Sequence, residues 1–180
     1  GGIVMALYHG SNNWGEAPEG TIIQVVQNVD SSNGTHGTNQ WQLHQTQTIT
    51  PKVSTSKIMI WGQALAGNAG NHPFALQLRV NSTTYNDYIS GSANSSGGQN
   101  CLSPSAHHDG LSDNHRLQSM HYSFLHDHNS SNQLTYRVYI TPRSDIGNLS
   151  WRRNEPWDNN SSGYNFHGLS ILNLWEISTG

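Results

Sequence analysis

The sequence predicts an all-β fold, an antiparallel β-sandwich of about eight or nine short strands, on three observations. Short segments alternate apolar and polar residues with a period of two, as strands with one buried face do. Polar turns rich in Asn, Gly and Ser separate these segments at short spacing. No stretch carries the apolar stripe of an amphipathic helix.

Residues 1–20 show little periodicity and read as an N-terminal arm or linker, with Tyr8 and Trp14 as anchors to a neighbour; residues 21–180 read as a single sandwich domain. The first strong strand is the β-branched run Thr21–Val29, ending at the turn Asp30–Gly34. A second spans Trp41–Ile49, with Trp41, Leu43, Gln45, Gln47 and Ile49 on one face. Lys57–Ala64 is an almost continuous apolar run and reads as a central strand, which puts Trp61 in the core. Phe74, Leu76, Leu78 and Val80 alternate with Ala75, Gln77 and Arg79, so the second set is expected on the wetter face. A short strand follows around Tyr85–Tyr88, then the polar stretch 91–113, long enough for a binding loop or a subunit-crossing excursion. In His115–Leu125 the core face is Arg116, Gln118, Met120, Tyr122 and Phe124. Tyr136, Val138 and Ile140 define the next strand, Leu149–Arg153 another, and Leu169–Ile177 the last, with Trp175 expected in the core. The single cysteine, Cys101, removes the disulfide signal of an immunoglobulin sandwich, and about eight strands in two sheets is the jelly-roll expectation.

Composition narrows the function. Charged residues are only 11% of the 180-residue chain and the net charge is −3, so no basic stripe for nucleic acid exists and no nucleic-acid partner is expected. Disorder favours high net charge and few aromatics, whereas six Trp and seven Tyr supply a core despite 33% hydrophobic residues. No apolar run is long enough to span a bilayer, so no membrane insertion is expected. The first residues lack the basic start of a signal peptide, and the chain opens on Gly1 rather than Met, as expected of a fragment or processed chain.

Four segments carry a resemblance. Ile22–Val25 (IIQV), Ile49–Ile60 (ITPKVSTSKIMI), Leu134–Ile140 (LTYRVYI) and Gly168–Ile177 (GLSILNLWEI) occur in the order and spacing of a family. The chain resembles, over residues 21–178, the small jelly-roll-like β-domains of phage tail, fibre and virion-surface structural proteins, especially from marine and cyanobacterial phages. That resemblance implies a virion location, a homotrimer, contacts with other virion proteins and structural or receptor-facing duties. It implies no catalytic residues and no cofactor. One departure stands out: the family's short strand before the last loop is replaced here by Leu149–Asn154 (LSWRRN), and the connections are rich in histidine.

Catalytic motifs are missing. There is no GxSxG elbow, no phosphate-binding lysine loop and no HExxH pair, so no enzyme is expected. Eleven histidines invite a metal reading. His107-His108-Asp109 and His126-Asp127-His128 offer ligand atoms, and His126 and His128 of three chains would face one axis from extended strands. The favoured reading is surface-loop histidines, and no metal is expected. A free thiol in a loop is likewise the reading of Cys101. Carbohydrate is the rival function: a host surface glycan held by aromatic faces and amides in distal loops. Its candidate residues, which subunit contacts explain equally well, are Trp14, Trp151, Trp157 and Tyr164.

Overall fold

A computed structural model describes residues 3–6, 17–37, 41–68, 72–81, 88–89, 101–105, 117–142, 150–157 and 166–180, with strand pairing alone for 3–6 and 88–89. The strands are β1 (Ile3–Ala6), β2 (Ile22–Asp30), β3 (Gly34–His36), β4 (Gln42–Ile49), β5 (Lys57–Asn68) and β6 (Phe74–Val80). The remainder are β7 (Tyr88–Ile89), β8 (Ser103–Pro104), β9 (Gln118–Asp127), β10 (Leu134–Pro142), β11 (Trp151–Arg153) and β12 (Ser170–Ile177). Two antiparallel sheets result. The larger runs β1-β2-β12-β5-β11-β3, with β9 also on β5; the smaller runs β4-β10-β6-β7, with β8 also on β6. Among the long strands, β2, β5, β9 and β12 lie in one sheet and β4, β6 and β10 in the other. The chain therefore changes sheet at each connection between these strands. The sandwich expected from periodicity is what forms, and the first residues add an edge strand to β2.

The core fills the gap between the sheets. Ile58, Ile60, Met120, Leu172 and Leu174 of the larger sheet meet Phe74, Leu76, Leu78, Tyr136, Val138 and Ile140 of the smaller, all inaccessible or nearly so. Each such side chain contributes about 1.5–3 kcal/mol on leaving water. The expected core faces of β6, β9 and β10 are the observed ones over the described residues; Arg116, expected on the β9 face, lies outside them. Gly62 is the tight point of this layer. A Cβ there would meet the Ile171 carbonyl oxygen at 1.9 Å and the Tyr122 hydroxyl at 2.8 Å. The space is taken by Tyr122, whose hydroxyl donates to that carbonyl at 3.0 Å.

Three expectations are corrected. In β4 the pairing with β10 slips between Val138 and Tyr139: Val138 faces Gln45 and Tyr139 faces Leu43, leaving His44 as the extra residue of a bulge. The bulge buries His44 beside Gln45 and turns Leu43 out to solvent. On β6, Gln77 and Arg79 are buried rather than wet; the Arg79 guanidinium lies 3.8 Å over the Tyr139 ring. Trp61 and Trp175 are not in the core. They occupy the alternate register positions of β5 and β12, whose inward residues are Ile58, Ile60, Leu172 and Leu174.

Candidate functional site

A buried carboxylate joins three of the resembling segments. Glu176 on β12 is completely inaccessible. Its Oε1 accepts from the Lys52 and Val53 backbone N–H groups at 2.8 and 3.0 Å, and Oε2 accepts from the Gln24 side-chain amide. Ser56 Oγ lies 2.7 Å from both Oε1 and the Val53 carbonyl oxygen, with one proton to share between them. Gln24 also donates to the Thr50 carbonyl at 2.8 Å. The turn after β4 is thus wrapped around the end of β12, with Gln24 of β2 as the third member. These residues hold the fold together: Glu176, Gln24 and Ser56 are buried, while Lys52 in the turn is exposed.

His128 extends this latch. Its Nδ1 accepts from the Ser130 N–H at 3.0 Å, so the neutral ring carries its proton on Nε2 and donates it to Ser56 Oγ at 3.2 Å. Both nitrogens are engaged. His126 shares a hydrogen bond with the Tyr136 hydroxyl through Nδ1 at 2.9 Å, and its ring is tilted 56° to that of His128. Burial lowers the pKa of both imidazoles. Among the described residues no group of three or more His, Cys, Asp or Glu is placed to hold a metal. His107, His108 and Asp109 lie outside the described residues.

A second buried cluster imitates a hydrolytic dyad. Ser170 Oγ lies 2.7 Å from His44 Nε2, with both residues buried. The polarity is the reverse of what catalysis needs. Asn154 donates through Nδ2 to the Asp30 and Ser32 carbonyls, which orients its Oδ1 toward Ser170; the Ser170 hydroxyl donates there and accepts from the Leu65 N–H at 2.9 Å. His44 Nε2 is therefore a donor and cannot take the Ser170 proton. Burial, with Arg153 and His36 nearby, holds the His44 pKa well below 6.5. Asn154 adopts φ 56°, a left-handed conformation that asparagine tolerates, and its backbone ties Leu65 to Gly168.

Of the four aromatic candidates, Trp151 is the clear correction. It is fully buried, stacked on His36 at 4.4 Å and edge-on to Phe74 at 5.7 Å, because the pairing of β11 with β5 and β3 turns it into the core. Trp157 is half-buried, and the Arg152 guanidinium lies 5.6 Å from its ring. Trp14 and Tyr164 lie outside the described residues. Neighbouring cations are paired: Arg152 with Glu155 at 3.2 Å and Arg153 with Asp30 at 3.3 Å. Cys101 is a free, half-buried thiol whose pKa is raised by burial, which weakens it as a nucleophile.

The sequence reading missed the open face of the larger sheet. Val25, Trp175, Met59 and Leu125 align in one row across β2, β12, β5 and β9, and Gln27, Asn173, Trp61 and Ser123 in the next. Trp61 is 37% exposed and Leu125 48%. The two indoles meet edge to face, 5.4 Å apart at 90°. The signal available was on β12, where the polar Asn173 shares the parity of Trp175; the apolar run Ile58–Trp61 of β5 carries none. No family model and no curated protein matches this chain.

Proposed function

We propose that this chain is a structural domain with jelly-roll topology, displayed on a phage particle, where it assembles as a homotrimer and contacts other virion proteins. The observation that carries the reading is the Glu176 latch. Residues from three segments that resemble the phage family, far apart in sequence, meet around one buried carboxylate. Such convergence supports a shared structural unit rather than a chance likeness of strands. The order β2-β12-β5-β9 facing β4-β10-β6-β7, with the chain changing sheet between the long strands, supports the jelly-roll reading.

Edge strand β9 supports self-association. Among the described residues it pairs only with β5, over ten residues without a register shift, and Gln118–Asp127 contains no Lys, Arg or Pro to blunt the edge. The proposal includes no catalytic step and no cofactor. The test is mass by light scattering during dilution to low micromolar concentration. A particle of three times the 19.8 kDa chain mass is expected, and a monomer throughout would overturn the trimer. The alternative, a receptor-binding module reading a host polysaccharide through distal loops, retains Trp157 as its described candidate; Trp151 is unavailable to it.

A further inference from the structure

We propose that the outward face of the larger sheet, centred on Trp61 and Trp175, is a binding platform for a neutral polysaccharide chain. This site is separate from the loops considered above and does not depend on the trimer. The face is exposed at Trp61, Ser123 and Leu125 and part-exposed at Trp175, with Asn173 buried between them, whereas the outward side of the smaller sheet is covered within the chain: Gln77, Arg79, Tyr139 and Thr141 are all buried there.

Three features of the open face fit a sugar. First, the paired indoles are held against each other, so little rotamer freedom remains to be lost when a pyranose lays its C–H face on them. Second, planar amides flank the indoles in fixed orientations. Gln27 donates to Asn173 Oδ1 at 2.7 Å and Gln63 donates to the Leu169 carbonyl at 2.9 Å. Each amide oxygen is thereby directed as an acceptor for sugar hydroxyls. On the other side of Trp61, the exposed Ser123 and His121 face Trp61 and Gln63 across β9, adding a hydroxyl and an imidazole. Third, the middle of the face carries no formal charge. Between Met59 and Leu65 of β5, and at the positions they face on β12 and β9, no outward residue is Asp, Glu, Lys or Arg; the Lys57–Asp127 pair lies at the end of the face.

That charge pattern selects an uncharged ligand and disfavours an acidic polysaccharide or nucleic acid. It also separates a glycan from a second copy of the chain. A protein interface core is largely apolar, and covering this face with protein would bury the Gln27 and Gln63 oxygens, each costly unless matched by a donor. A hydroxyl-rich chain supplies such donors at every residue.

The test is affinity electrophoresis of the full chain in gels containing dextran, laminarin, galactomannan or xyloglucan, with alginate as the anionic control. Retardation by at least one neutral polymer is expected, with none by alginate. Trp61→Ala and Trp175→Ala should each weaken it about tenfold or more, and Trp157→Ala should leave it unchanged. Ser123→Arg, at an exposed position beside Trp61, sets a charge on the platform without touching the core and should abolish retardation; it keeps the test valid if a tryptophan variant misfolds. No retardation by any neutral polymer, or full retention in Ser123→Arg, overturns the proposal. Light scattering on the same variants supplies the last arm. A fall to monomer mass in Trp61→Ala, on the inner strand β5 rather than on edge strand β9, would mark the face as a contact between copies and overturn the glycan reading, while a trimer that binds no polymer overturns the platform and leaves the structural function standing alone.

Discussion

Replacing Glu176 by glutamine changes one buried atom and tests the latch directly. The carboxylate is surrounded by donors: two backbone N–H groups from Lys52 and Val53, the Gln24 amide and the Ser56 hydroxyl. An amide keeps one acceptor oxygen and turns its NH₂ toward groups that also donate. Ser56 can rotate to the Val53 carbonyl, 2.7 Å away, and so escapes part of the conflict. The Gln24 amide or the backbone pair cannot. One or two buried donors then lose a charge-assisted bond, at about 1–3 kcal/mol each, for a total near 2–4 kcal/mol. Glu176→Ala removes every acceptor and is expected to cost more. Total stability for a domain is about 5–15 kcal/mol, so Glu176→Gln should fold. With a urea slope of about 2 kcal/mol per M, its midpoint should fall by about 1–2 M. Hydrogen exchange adds a local readout, since the Lys52 and Val53 amides should lose protection before the β5 amides do. A Glu176→Gln midpoint within about 0.2 M of the parent, with those two amides still protected, refutes the reasoning.

Other consequences follow from the same geometry. Gly62→Ala sets a methyl against the Ile171 carbonyl and the Tyr122 hydroxyl and should destabilise the fold by about 3 kcal/mol, read from denaturant unfolding; a neutral outcome would mean that β5 and β12 can part there without cost. Trp151→Ala should cost about 3–5 kcal/mol, whereas Trp61→Ala on the open face should cost about 1 kcal/mol or less, a contrast that thermal midpoints resolve and that equal losses would contradict. Stability should also depend on pH through the histidines. The unfolded imidazoles take up protons near pH 6.5, while burial lowers the folded pKa of His36, His44, His126 and His128, so protonation favours the unfolded chain. Stability should be full above about pH 6.5 and fall as pH drops below it. His44→Gln should flatten that slope, and an unchanged slope would remove His44 from the account.

Much of the fold was legible in the sequence because a strand with one dry side must alternate. Phe74–Val80, the Met120 and Tyr122 side of β9, and Tyr136–Ile140 all declare their inward faces in this way. The open face was harder to read. Lys57–Ala64 is apolar at nearly every position, so periodicity could not say which parity faced the core, and Trp61 looked as buried as Ile60. Leu149–Arg153 posed the opposite problem: a tryptophan beside two arginines reads as surface, yet pairing with β5 and β3 turns Trp151 inward while Asp30 and Glu155 take the charges.

Local pattern thus determined the fold class, the positions of the long strands and the inward faces of β6, β9 and β10, since those depend only on residues two apart. Tertiary structure decided which distant residues meet. The bulge that buries His44 arises from the register of β4 on β10, and the Glu176 latch needs β2, the turn after β4 and the end of β12 at one point. Which of the two sheets leaves its outer face open is also a property of the assembled sandwich. Pairing and covering are set by contacts between segments far apart in the chain, and no spacing along one strand encodes them.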